Sequence, residues 1–298
     1  MRLINRLSNT LRRLPNAFGR NEGRVAIAGG HRSVLLSRGS IRHVAFYPAL
    51  PLKRAVAEPV VKPVIADRPP ESHPAGQRIV FSDVRLNRGG REALAGIDLV
   101  LDERRVGVLG LNGSGKSTLL KLLVGLLAPT SGTVSIDGLS PCADAVAVRA
   151  RTGFLFQSSD NQIVYPIVRE DLAFGLKGNA EEVDRAITGA LDRLGIANLK
   201  FRRIHELSGG ERQLIALAGV LARDPRTILF DEPTSQLDLV NRNRFRDILA
   251  GLPQQAIVVT HDLELVDGFD RVVVVDAGRI VFDGNPADAV AFYRRRCG

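Results

Sequence analysis

The chain has 298 residues, which is enough for one large domain or for a smaller domain with an appendage. Its formal net charge is +9, yet residues 1–77 carry 13 Lys and Arg against 4 Asp and Glu, whereas residues 78–298 carry 28 of each sign. The balanced charge of residues 78–298 excludes a polycationic nucleic-acid-binding domain. With 5% aromatic residues and no Trp, the core is expected to be aliphatic.

The cysteine content excludes a disulfide-rich or zinc-binding domain, and the hydropathy excludes a transmembrane helix. Cys142 and Cys297 have neither the number nor the spacing of a disulfide framework or a zinc site. The sequence has no run of about 18 apolar residues that could span a bilayer, and no clean signal peptide. Any membrane-embedded part is therefore expected on another chain.

Residues 1–77 form a basic extension that contains many Pro and Gly residues and is predicted to be disordered. Leu3, Leu7, Leu11 and Leu14 fall on one helical stripe among arginines, so a short helix lying on a membrane surface is an alternative. A start of translation further downstream is another. No function is assigned to this extension.

From Ile79 onward, short apolar runs alternate with helical patterns, which predicts an α/β domain over residues 78–298 with a mainly parallel sheet. Continuous apolar runs are typical of central strands that are covered on both faces. The predicted elements are the strands 106–109, 132–136, 227–230, 256–259 and 272–275 and the helices 118–127 and 214–222.

Residues 110–118, here called the phosphate loop, read GLNGSGKST and fit G-x-x-x-x-G-K-[ST] between a strand and a helix. Its glycines let backbone N–H groups surround a phosphate at the positive end of the helix dipole. Lys116 is expected to neutralise the β- and γ-phosphates, and Ser117 to bind Mg²⁺. The predicted nucleotide-binding residues of the loop are Gly110, Leu111, Asn112, Gly113, Ser114, Gly115, Lys116, Ser117 and Thr118.

Two later strands end in side chains that can serve the same site. Asp231 and Glu232 end the strand 227–230, at the sheet edge where open α/β proteins bind ligands. Asp231 is expected to hold Mg²⁺ and Glu232 to take the proton of the attacking water. His261 ends the next strand and is expected to contact the γ-phosphate, although a lone histidine in this position is often only structural.

Residues 207–213, here called the signature segment, read LSGGERQ and precede an apolar helix. Ser208, Gly209 and Gly210 thus form a second anion-binding helix N-terminus in a chain that already has one for its own nucleotide.

In this order and spacing, these motifs resemble the ABC-type ATPases over residues 79–293. The resemblance implies a P-loop fold with a mainly parallel core sheet, an antiparallel β subdomain and a small α-helical subdomain at about 158–222. It also implies ATP and Mg²⁺ as ligands, with Gln157 sensing the metal and the attacking water. Ser208 and Gly210 would bind the ATP of a second ATPase chain, identical or homologous, in a head-to-tail dimer with Asp238 at its interface.

One departure from the family concerns the base. The family usually stacks an aromatic side chain on adenine, but the corresponding region reads Val84-Arg-Leu-Asn-Arg88. Adenine stacking by an aromatic ring is therefore not expected, and base selectivity is expected to be loose.

The segment 156–175 reads FQSSDNQIVYPIVREDLAFG and resembles the ATPases of energy-coupling-factor (ECF) importers. The resemblance implies a transmembrane coupling subunit that docks near Gln157–Tyr165, with polar contacts from Asp160 and Gln162. It further implies a membrane substrate-binding subunit, a peripheral location at the cytoplasmic face of the membrane, and no nucleic-acid partner. Within this group the sequence resembles the biotin-transport ATPases, with cobalt- and nickel-transport ATPases as close relatives.

Three other ABC classes are kept as alternatives. ATPases acting on DNA place long coiled-coil arms between the phosphate loop and the signature segment, and heptads are absent here. Translation-factor ABC proteins carry two such domains in one chain, whereas this chain has one. Exporter ATPases usually share a chain with their membrane helices.

Overall fold

The computed structural model describes residues 77–297 and two short strands nearer the N-terminus, which pair antiparallel with Val25 opposite Leu36. The predicted extension otherwise lies outside the described residues, as does the helical stripe from Leu3 to Leu14. The strands are β1 (Val25–Ala26), β2 (Leu35–Leu36), β3 (Ile79–Arg88), β4 (Arg91–Leu101), β5 (Arg105–Leu109), β6 (Ser131–Ile136), β7 (Thr152–Leu155), β8 (Thr227–Asp231), β9 (Gln255–Val259), β10 (Arg271–Asp276) and β11 (Arg279–Gly284).

The main sheet has six strands in the order β11-β10-β5-β9-β8-β7. Only β10 and β11 pair antiparallel, and the other four pairings are parallel. Because β5, β9, β8 and β7 are parallel neighbours, their carboxyl ends share one edge. The predicted α/β class with a mainly parallel sheet is confirmed.

A second sheet, in the order β4-β3-β6, is antiparallel throughout and confirms the predicted antiparallel β subdomain. Both of its long strands alternate buried and exposed side chains, as expected for a sheet with one face on the core. This sheet packs against the phosphate loop, because the Ala95 N–H donates to the Gly278 carbonyl at 2.9 Å and the Gly278 N–H to that of Ser114 at 2.9 Å.

The helices are α1 (Lys116–Leu123), α2 (Ala145–Arg151), α3 (Val168–Ala173), α4 (Ala180–Arg193), α5 (Gly209–Leu221), α6 (Leu239–Gly251) and α7 (Pro286–Cys297). Fully buried side chains of α4 and α5, such as Leu191 and Leu217, belong to the same apolar cluster as Phe230 of β8. The helical segment and the sheet therefore share one core. Among the described residues, no helix combines the length and the apolar character that crossing a membrane requires.

The helix predicted over residues 118–127 is wrong at both ends, since α1 begins at Lys116 and ends at Leu123. Gly125 stops it, because its φ of +63° lies in the left-handed region. A β-carbon at this position would also lie 2.2 Å from the carbonyl oxygen of Pro141. The aliphatic pattern thus continues beyond the helix itself.

Candidate nucleotide-binding site

The phosphate loop leaves β5 at Leu109 and enters α1 at Lys116, as the sequence predicts. The Lys116 ammonium is buried and donates to the carbonyl oxygens of Gly110 at 2.7 Å and of Leu111 at 3.1 Å. Burial lowers the pKa of Lys116, and the carboxylates of Glu232 and Asp231 oppose this shift. A buried cation held largely by neutral carbonyls is suited to bind phosphate oxygens.

The loop has the shape and the polar atoms of an anion cradle. A β-carbon at Gly115, where φ is +110°, would lie 2.8 Å from the Ala93 carbonyl oxygen, so only glycine fits against β4 here. The hydroxyl oxygen of Ser114 is buried without a hydrogen-bond partner. Leu111, Asn112 and Gly113 are exposed at the loop's crest. An orphaned buried hydroxyl in a glycine-built cradle fits a phosphate ligand.

Ser117 and Asp231 come together across 114 residues of sequence. The Ser117 hydroxyl donates to the Asp231 carboxylate at 2.6 Å, at the junction of α1 and β8. Asp231 is buried and Ser117 and Thr118 are half-buried. A hydroxyl and a carboxylate oxygen are the hard ligands that Mg²⁺ prefers, and Mg²⁺ fills its other positions with water and phosphate oxygens. These residues fit a magnesium ion bound together with a nucleotide.

Glu232 lies between Lys116 and His261. Its carboxylate is 3.7 Å from the Lys116 ammonium and 2.7 Å from His261 Nδ1, and it accepts the His261 backbone N–H at 3.3 Å. The residue is only 7% exposed, and its φ of +51° is unusual for a residue with a side chain. Such local strain is common at functional sites, where surrounding contacts fix the side chain.

The other predicted site residues lie elsewhere. Gln157 is exposed two residues beyond β7, whose end neighbours that of β8, and no hydrogen bond joins it to Asp231 or Glu232 within the described part of the chain. In that part, no hydrogen bond or ion pair links Ser208, Gly209 or Gly210 to the phosphate loop either. The fold therefore does not join the signature segment to the phosphate loop within one chain.

Ser208 caps α5. Its hydroxyl oxygen accepts the Glu211 backbone N–H at 3.2 Å, and its own N–H donates to the Glu211 carboxylate at 2.8 Å. The pKa of Glu211 is lowered, most by the hydrogen bond from the Ser208 backbone N–H and next by a hydrogen bond from the Ser208 hydroxyl. Gly210 packs against the Asn241 side chain. Asp238 is the N-cap of α6, and its carboxylate accepts the Asn241 backbone N–H at 2.8 Å.

Sequence reasoning missed Asp262. Its carboxylate accepts a hydrogen bond from the Thr234 hydroxyl at 3.3 Å and lies 3.5 Å from the Arg242 guanidinium. Its N–H donates to the Thr260 hydroxyl at 2.9 Å. Asp262 thus ties the loop that carries His261 to the turn after β8 and to α6. The sequence signal that could have identified Asp262 is its position directly after His261, at the same edge of the sheet.

The segment 156–175 was expected to offer polar contacts from Asp160 and Gln162. The Gln162 amide is instead used within the chain, because it donates to the Ala216 carbonyl at 3.0 Å and accepts the Phe156 N–H at 3.4 Å. It braces the segment against α5. The Asp160 side chain stays 70% exposed, with its carboxylate 3.3 Å from the Arg212 guanidinium.

Comparison with known proteins identifies the class of this site. The family model described as ABC transporter matches residues 96–235, from β4 to the turn after Glu232. A relative in Rhizobium etli is 48% identical over 219 residues, and the match covers 72% of this chain and 97% of the relative. The chain therefore belongs to the ATP-binding proteins of the ABC transporter family and is an ATP-hydrolysing enzyme of that family.

The relatives carry more specific names. The Rhizobium etli protein is the biotin transport ATP-binding protein BioM. The cobalt import ATP-binding protein CbiO of Syntrophus aciditrophicus is 41% identical over 206 residues, covering 66% of this chain and 73% of the relative. The CbiO1 structure from Clostridium perfringens, described as part of the ABC transporter complex CbiONQ, superposes with a TM-score of 0.66 at 31% identity, over 72% of this chain and 91% of that one.

Proposed function

We propose that this chain is the ATP-hydrolysing subunit of an ECF-type importer and that biotin is the imported substrate. The observation that carries the proposal is the segment 156–175, which follows the strand next to β8 and forms an exposed, partly apolar surface there. A biotin-transport relative at 48% identity supports the choice of substrate. On this proposal the chain lies at the cytoplasmic face of the membrane as a peripheral protein.

The phosphate loop and the end of β8 bind the nucleotide. Lys116 exchanges its contacts with the loop carbonyls for the β- and γ-phosphate oxygens of ATP, which compensate its buried charge better. Ser117 and Asp231 would hold Mg²⁺, which would neutralise charge at the phosphates.

Glu232 acts as the general base. It accepts the proton of the attacking water, and His261 fixes the orientation of the carboxylate through the contact at 2.7 Å. His261 is more than half exposed, so its other ring nitrogen can reach a γ-phosphate beyond the protein surface. Gln157 lies at the neighbouring strand end and would contact the attacking water and the metal.

A second ATPase chain completes each site. At the N-terminus of α5, Ser208 and Gly209 are exposed and Gly210 is buried. The Ser208 hydroxyl and the N–H groups of this helix end would bind the γ-phosphate of ATP held by the partner's phosphate loop. Two such sites form when two chains pair head to tail about a twofold axis. Asp238 and Asn241, which lie beside Gly210, belong to the contact zone.

The surface proposed to dock the transmembrane coupling subunit lies beside the nucleotide-binding site. A groove of about 330 Å³ is lined by residues that include Phe156, Gln162, Asp171 and Phe174. The rings of Tyr165 and Phe174 lie 5.5 Å apart and are about half exposed. Asp171 accepts the N–H groups of Val164 and Tyr165 and so fixes this apolar rim. A helix end of a transmembrane subunit fits such a groove, which moves when two ATPase chains close.

The test is purification of the tagged chain from its native membranes in mild detergent. We expect small integral membrane proteins to co-purify, one of them holding biotin. Recovery of the chain alone from the soluble fraction would contradict the importer proposal.

Cobalt import is the second candidate, favoured by the similarity to CbiO. Cells that lack this chain distinguish the two substrates. Loss of labelled biotin uptake, restored by the wild-type chain but not by Glu232→Gln, supports biotin. Loss of cobalt uptake with normal biotin uptake supports the second candidate instead.

A further inference from the structure

Two loops meet where His261 contacts Glu232. Glu232 opens the turn 232–237 after β8, and His261 belongs to the loop 260–264 after β9. His261 Nδ1 lies 2.7 Å from the Glu232 carboxylate. The His261 side chain is 56% exposed, and a pocket of about 330 Å³ lies beside it, lined in part by Thr234 and Arg242. Because packing covers so little of His261, its position on Glu232 depends on the backbone of its loop.

Asp262 sets the shape of the loop 260–264. Its backbone N–H donates to the Thr260 hydroxyl at 2.9 Å, and its carboxylate accepts the Glu264 backbone N–H at 3.2 Å. An aspartate that accepts a backbone N–H two residues further along forms an Asx turn, which fixes the local direction of the chain. His261 lies between Thr260 and Asp262, so these contacts restrict where its ring can point.

The Asp262 carboxylate also contacts the turn 232–237. Its second oxygen accepts the Thr234 hydroxyl at 3.3 Å, and Thr234 is only 2% exposed. Thr234 lies two residues after Glu232, and Asp262 lies directly after His261. The Thr234–Asp262 contact therefore joins the same two loops as the Glu232–His261 contact and holds them at a fixed separation.

Arg242 supplies the positive charge that the Asp262 carboxylate faces. The guanidinium Nε of this α6 residue lies 3.5 Å from the oxygen that accepts the Thr234 hydroxyl, and the Asp262 side chain is only 12% exposed. In the described part of the chain, no other carboxylate pairs with Arg242, whose Nε is buried without a hydrogen-bond partner. A largely buried carboxylate is costly unless it is paired, so Arg242 stabilises Asp262 in this position.

We infer that Asp262, together with Thr234 and Arg242, is a positioning residue for hydrolysis, because it holds His261 on Glu232. The inference rests on the general-base role of Glu232 proposed above. Glu232 has a φ of +51°, and a residue in this conformation keeps its orientation only when surrounding contacts hold it. The three positioning side chains act through Glu232 and not on the nucleotide, so they should affect kcat and not the affinity for ATP.

The first experiment compares substitutions that differ by one group. Thr234→Val removes the hydroxyl at nearly constant volume, whereas Thr234→Ser retains it. Steady-state ATP hydrolysis and calorimetric ATP binding are measured for both, for Asp262→Ala and for the exposed control Asp267→Ala. We expect kcat to fall about 10- to 100-fold in Asp262→Ala and by less in Thr234→Val, with ATP affinity unchanged. Thr234→Ser and Asp267→Ala should behave as wild type.

A double substitution separates positioning from a general loss of structure. Asp262→Ala is combined with Glu232→Gln, which already lacks the base. If Asp262 acts through Glu232, the combined variant should hydrolyse ATP as slowly as Glu232→Gln alone. Thermal midpoints show which variants are folded at the assay temperature. If Asp262→Ala does not fold, the comparison of Thr234→Val with Thr234→Ser decides the question.

Three results would overturn the inference. Unchanged kcat in both Asp262→Ala and Thr234→Val means that these contacts do not orient the base. Equal rate losses from Asp262→Ala with and without Glu232→Gln mean that Asp262 supports only the fold, and a matching loss of ATP affinity means that it acts in binding. A Glu232→Gln protein that hydrolyses ATP at the wild-type rate would instead contradict the general-base proposal on which the inference rests.

Discussion

Replacing Glu232 by Gln tests the proposed hydrolysis mechanism most directly. The two side chains have the same shape, and the Gln carbonyl oxygen can still accept the His261 N–H now bound at 3.3 Å. The substitution removes the proton acceptor and the negative charge 3.7 Å from the Lys116 ammonium. With that charge absent, burial lowers the pKa of Lys116 further.

The expected magnitude follows from the role of a general base. Such a group contributes about two to four orders of magnitude in rate, so kcat for ATP hydrolysis should fall by at least about 100-fold. This corresponds to about 3–5 kcal/mol of transition-state stabilisation. ATP affinity should be unchanged or tighter, because the removed carboxylate is also a like charge beside the γ-phosphate.

Steady-state hydrolysis and calorimetric ATP binding separate these two effects. Glu264→Gln is the matched control, since it makes the same chemical change at a side chain that is 72% exposed. A Glu232→Gln protein that hydrolyses ATP at the wild-type rate would refute the base assignment. Equal losses of rate and affinity would show that Glu232 acts in binding.

Four further substitutions test the phosphate loop, two glycine positions and a surface charge. Lys116→Ala removes the buried ammonium and should abolish most ATP binding in a titration; unchanged affinity would contradict its phosphate role. Gly153→Ala places a β-carbon 2.3 Å from a valine methyl and should lower the free energy of unfolding in urea by about 1–3 kcal/mol. The unhindered Gly189→Ala on α4 should raise it by about 0.5–1 kcal/mol. Hydrogen bonding to Lys200 lowers the pKa of Asp184 below its ordinary 3.8, so this carboxylate stabilises the fold above that pH. Asp184→Asn should therefore lower Tm at pH 7 but not well below pH 3.8, and an equal loss at both would contradict the charge argument.

The central strands were predictable because burial on both faces demands continuous aliphatic runs. All five predicted strands form, and each is longer than predicted by one or two residues. Helix ends were less predictable, as α1 shows, because the stop at Gly125 depends on the approach of Pro141, a contact between distant segments. The internal hydrogen bonds of Gln162 were not predictable for the same reason, since its partner on α5 is set by tertiary packing.

The sequence predicts which residues form the nucleotide-binding site but not how they contact one another. The phosphate-loop motif identifies Lys116, and the end of a predicted strand identifies Glu232. The distance of 3.7 Å between their charged groups depends on the strand order β5-β9-β8, which no local sequence pattern encodes.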